Sequence, residues 1–186
     1  VLPDGASLER TVEKVRSWYD DLLTEMLRRE KKLELWAPVQ LEIEKRRHIH
    51  TYVGRSFSVA RLRNALELLR ESMEFKPQVI ILDRIEDVGA DTVMIGELRA
   101  LAAEVGAELW MACRTHRDGP QAKPGHLPPP ADTFEEHVDL AFRLEPLDAK
   151  VRLQVLKDRQ QMVEKNLNIL LDTKTLLITT GVGAKK

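Results

Sequence analysis

The sequence predicts an α/β protein, a mostly parallel sheet flanked by helices with a group of consecutive β-strands at its C-terminal end. Three observations carry this. Amphipathic helical stretches alternate with short apolar segments as far as residue 113. One of those segments, in "KPQVIILDRIEDV" at residues 76–88, has Val79, Ile80, Ile81 and Leu82 in unbroken succession, as strands covered on both faces do. Beyond a Pro-rich stretch the helical period disappears and β-like segments follow one another.

In chain order, residues 7–35 read as a long helix, with Leu8, Val12, Val15, Leu22, Met26 and Leu33 on one stripe, Ser7 as N-cap and Pro38 marking the end. "HIHTYV" at 48–53 reads as a short strand closed by Gly54. A second helix is predicted from Ser58 to Met73 on the stripe Val59, Leu62, Leu66, Leu69 and Met73. The apolar strand ending at Asp83 comes next, then a third helix over 91–105 stopped by Gly106, then the strand "AELWMAC" at 107–113. Residues 116–133 hold five prolines and two glycines and read as a long irregular loop. "LAFRLEP", "VRLQVLKDR" and "TLLIT" form the terminal strand group.

At 186 residues and 21.3 kDa the chain suits one domain, 1–186, with a sizeable core. Lys and Arg total 29 against 30 Asp and Glu, a net charge of -1 that argues against a dedicated nucleic-acid coat. Cys113 is the single cysteine, so no disulfide can form within the chain. No apolar run approaches the roughly 18 residues of a membrane span, and no signal peptide opens the sequence, so no membrane partner and a cytoplasmic location are expected. Val1 in place of Met suggests a processed product or a cut piece.

Asp83 should lie at the carboxyl end of a central strand, where open α/β sheets bind ligands. A carboxylate there can hold Mg²⁺ through water, given phosphates to complete the shell; a strand-ending charge that caps the next turn is the competing reading.

Here the order of segments resembles the RecA-like ATPases, including the hexameric helicases of the DnaB type and the KaiC-like proteins, over roughly residues 7–180. "VIILDR" looks like their Walker B strand, "LWMACRTHR" like the strand ending in their sensor residue, and "VRLQVLKDRQ" like the strand bearing their Lys-x-Arg pair. The resemblance implies a three-layer RecA-like sheet and a homo-oligomer that hydrolyses ATP with Mg²⁺. It implies Asp83 at the nucleotide and metal, Arg114 or Thr115 near the γ-phosphate, and Lys157 and Arg159 reaching the neighbouring subunit's nucleotide. Two residues apart on a strand, the last two should share a face. Arg114 departs from the amide, hydroxyl or small residue expected at the sensor, and Arg84 stands where some branches have glutamate.

No Gly-x-x-x-x-Gly-Lys-Ser/Thr occurs among the nine glycines, so the chain looks like the family's fold without its phosphate loop, and alone it should bind ATP poorly. A non-catalytic assembly module is the alternative. A DNA-binding accessory is another, because the loop at 116–133 falls where recombinases bind DNA and Arg117 and Lys123 could contact phosphates; no aromatic residue between Arg114 and Pro130 is there to stack on bases. His48 and His50 as metal ligands lack a third partner, Cys113 with His116 is a weak nucleophile–base pair, and Trp18, Trp36 and Trp110 read as core or interface.

Overall fold

A computed structural model describes residues 11–52, 56–115, 122–175 and 177–180. Helix α1 (Val12–Arg29) starts at Thr11, whose hydroxyl accepts the Lys14 N–H at 3.3 Å. Glu13 in its first turn and Arg28 and Arg29 in its last complement the helix dipole. The helix expected to reach residue 35 ends at Arg29, Lys31 then turns left-handed at φ 56°, and a 3₁₀ turn (Leu33–Leu35) leads into α2 (Trp36–Lys45). Pro38 therefore opens a helix instead of ending one. It is the third residue of α2, where an N–H would have no partner within the helix to lose. The two helices are clasped by the Trp36 indole N–H donating to the Thr24 hydroxyl at 3.0 Å, and the Arg47 guanidinium lies 4.4 Å over the Tyr19 ring.

The strand expected at 48–53 is not formed over its described part, 48–52; Val53 lies outside the described residues. No segment among the described residues offers it a ladder of backbone hydrogen bonds. Its rings pack locally, His48 edge-on to Phe75 at 4.6 Å and Tyr52 against Phe57 at 5.1 Å, so His48 and His50 do not alternate on a strand face.

Helix α3 (Val59–Met73) is capped by Ser58 and α4 (Thr92–Val105) by Asp91, which accepts the Met94 N–H at 2.8 Å. Gly106 ends α4 at φ 73°, as its position predicts. Strands β1 (Val79–Asp83) and β2 (Glu108–Ala112) pair in parallel, from Val79 opposite Glu108 to Asp83 opposite Ala112. Among the described residues the parallel sheet consists of these two strands.

One face of the pair is covered. Ile80 joins Leu62 and Leu66 of α3 and Ile95, Leu98, Leu101 and Ala102 of α4 in the main core, with Ile85 and Phe134. Among the described residues the other face is largely open, with Ile81 64% and Trp110 46% exposed. The unbroken apolar run thus reflects a strand with two apolar faces of which one is buried.

Four strands, β3 (Leu140–Leu147), β4 (Lys150–Asp158), β5 (Gln161–Asp172) and β6 (Ile178–Thr180), form an antiparallel sheet in chain order. The strand group was expected, but β5 was not. Its sequence "QMVEKNLNILLD" interleaves polar residues, and Asn168 breaks regularity at φ 55°. Register shifts flank Gln154 and Leu156 in β4, which lets consecutive Val155 and Leu156 both be buried. Phe142 of β3 stacks parallel to Trp110 at 6.3 Å and joins the two sheets.

Because Ile95 is fully enclosed and Ile81 is not, Ile95→Ala should lower unfolding free energy by about 3 kcal/mol. Ile81→Ala should cost under about 0.5 kcal/mol. Denaturant unfolding of both variants checks this, and equal losses would refute the one-sided core.

Candidate functional site at the strand ends

The carboxyl ends of β1 and β2 lie side by side, and the chain leaves β1 by a sharp turn. Arg84 takes a left-handed conformation, φ 61° and ψ 50°, which costs a residue with a Cβ about 1 kcal/mol. Ile85, 4% exposed, pins the turn to the core, and a 3₁₀ segment (Ile85–Val88) follows, closed by Gly89 at φ 69°. This geometry presents Glu86 and Asp87 toward the end of β2.

Arg114, two residues beyond β2, reaches both. Its Nε donates to Glu86 Oε1 at 2.9 Å and its Nη2 to Asp87 Oδ1 at 3.5 Å. Arg84 Nη2 holds the other Asp87 oxygen at 2.5 Å. The Glu86 hydrogen bond, with the nearby carboxylate charges, pushes the Arg114 guanidinium further up in pKa. Two buried polar atoms of the cluster, Arg84 Nε and Glu86 Oε2, find no hydrogen-bond partner among the described residues. Cys113 beside it is half-buried, and burial first, then the Glu86 charge, push its thiol up, the opposite of what a nucleophile needs. His116 lies outside the described residues.

Asp83 is exposed on the open face of the sheet, and Thr115 is exposed just past Arg114. Among the described residues no three His, Cys, Asp or Glu side chains converge as a metal site. A single carboxylate takes part in Mg²⁺ binding only through water, on an ion that phosphates also hold.

Lys157 and Arg159 come together elsewhere, in an open depression of about 430 Å³ lined also by Arg99, Glu136, Val138, Asp139 and Gln160. They do not share a strand face. Strand β4 ends at Asp158, and Arg159 sits in the following turn at φ 55°, its N–H donating to the Asp139 carbonyl. Lys157 Nζ donates to the Glu135 carbonyl. Arg99, from α4, adds a third cation, held by Asp139 at 3.0 Å. A lone Arg on an exposed helix position has no spacing signal, so sequence reading could not find it.

The Pro-rich loop is pinned in its described half. Leu127 is 2% exposed, and Glu135, in a 3₁₀ segment (Ala131–His137), accepts the Leu127 N–H at 2.9 Å and contacts His126 Nδ1 at 2.6 Å. Lys123 is exposed; Arg117 lies outside the described residues. No helix among the described residues is long and apolar enough to cross a membrane. No protein-family model matches the chain, and no curated protein matches it.

Burial pushes the Glu135 carboxyl up, but the Leu127 N–H, His126 and the Lys157 charge outweigh that and leave it below its ordinary value. A depressed carboxyl stabilises the fold above its unfolded pKa of about 4.3 and loses that contribution as pH falls through the lower folded value. Wild type should therefore be more stable than Glu135→Gln at pH 7 and lose the advantage below about pH 4. Chemical denaturation of both at each pH tests it, and a difference independent of pH would count against the charge.

Proposed function

We propose that these residues belong to the nucleotide-hydrolysing core of an oligomeric, cytoplasmic RecA-like ATPase, contributing the metal-orienting carboxylate and the cations that act on a neighbouring subunit. The observation that carries this is the in-register parallel pair β1–β2, which brings Asp83 and the Arg114–Thr115 segment out side by side at its carboxyl ends. The open sheet face supports it as well. Parallel sheets are ordinarily covered on both sides, so Val79, Ile81 and Trp110 call for another layer. In this reading that layer carries the phosphate loop, which the 186 residues do not contain.

Bound Mg²⁺-nucleotide would supply the cation and the phosphates; Asp83 accepts hydrogen bonds from water on the metal side. Arg114 or Thr115 meets the terminal phosphate, and Lys157 and Arg159 of the next copy offset charge on the transferring group. Lys157 must first leave the Glu135 carbonyl.

The engagement of Arg114 by two carboxylates favours a second reading, a non-catalytic RecA-like assembly module whose charges are already satisfied internally. Nucleotide turnover by the complete gene product separates the two. Asp83→Asn there should cut hydrolysis on the order of a hundredfold while the far-ultraviolet spectrum is kept. Hydrolysis within threefold of wild type would remove Asp83 from the metal site, and a complete gene with neither phosphate loop nor hydrolysis would leave the assembly reading.

A further inference from the structure

We infer that Glu86 and Asp87 form an electrostatic latch that holds Arg114 away from a phosphate-bearing ligand at the carboxyl ends of β1 and β2 until the latch opens. The inference rests on the reading of these strand ends as a nucleotide site, but the latch itself is a property of four side chains.

The two halves of the latch differ in freedom. The carboxylates are fixed. Their short segment is bounded by left-handed Arg84 and Gly89, anchored by Ile85 in the core, and tied by Arg84 to Asp87. The Glu86 side chain is only 13% exposed. Arg114 is 62% exposed and sits beyond the last residue of β2, on a long side chain. Opening is therefore a swing of Arg114, not a movement of the turn.

Opening is also accessible. The Arg114–Asp87 contact, 3.5 Å between two exposed side chains, is weak, so a ligand able to offer two phosphate oxygens to the planar guanidinium can compete for its free edge. The closed state restores itself, because departure of Arg114 takes the donor from a mostly buried Glu86 carboxylate whose Oε2 has no other among the described residues. Among the described residues the charged groups in contact with Arg114 are Glu86 and Asp87, and Arg84 competes for the second of these.

Inorganic pyrophosphate titrated into this chain, followed by amide chemical shifts at residues 83–89 and 112–115, tests the latch without any need for hydrolysis. Wild type should bind weakly, and the Glu86→Gln/Asp87→Asn double variant about fivefold more tightly. Adding Arg114→Gln should abolish the gain. Asp87→Asn alone, at an exposed position, should give a gain of about twofold that also requires Arg114 and does not depend on tolerance of change at Glu86. A gain that persists without Arg114 reports only the altered field and overturns the latch; so does unchanged affinity in folded variants, or no binding by any of them. A latch that behaves as expected while Asp83→Asn leaves hydrolysis intact would dispose of the ATPase reading alone.

Discussion

The packing of one stripe of α4 onto one face of the β1–β2 pair is the contact from which the rest of the structure follows. Ile95, Leu98, Leu101 and Ala102 are each no more than 3% exposed, and full burial of each large side chain contributes about 2 kcal/mol. The same core fixes two places where charges gather. Ile85 enters it from the turn after β1 and so sets where Glu86 and Asp87 stand. Phe134 enters it from the segment before β3 and so sets where the Glu135 carbonyl meets Lys157. Gly96 permits the second docking, since a Cβ there would come within 3.3 Å of the His137 ring.

How much of this was legible follows from which forces act locally. Caps, stripes and stops depend on neighbours in sequence, so α3, β1, α4 and β2 were readable from Ser58, Asp91, Gly106 and the apolar periods. The strand at 48–53 and the hidden strand β5 depend on whether a partner edge is present, and that is a property of the whole chain. Pro38 misled because its missing N–H stops a helix only past the first turn, and sequence alone does not say which turn it occupies. At the candidate site Asp83 and Arg114 could be placed at strand ends by counting. Their ionic surroundings could not, because Glu86 and Asp87 read as ordinary loop charges until the turn's geometry is known.

The two charge clusters differ in character. At the strand ends two arginines and two carboxylates close on one another, while two buried atoms find no partner among the described residues. In the depression near β4, Arg99 is neutralised by Asp139 and Lys157 is occupied by a carbonyl, which carries no formal charge. The Glu136 and Glu135 carboxylates also lie beside these cations, so Lys157 and Arg159 too stand among acids. An anion approaching Arg114 would have to displace a carboxylate.

Arg84 shows why the arrangement at β1 is held so closely. Glycine at this position would relieve about 1 kcal/mol of left-handed strain, yet it would remove the cation that fixes Asp87. With Asp87 loose, Arg114 would retain only Glu86, and the two carboxylates would no longer present a fixed fork to one guanidinium. The strain at Arg84 and the burial of Ile85 are thus complementary. The apolar residue forces the turn, and the charged residue before it uses that turn to orient the acid two positions past Ile85.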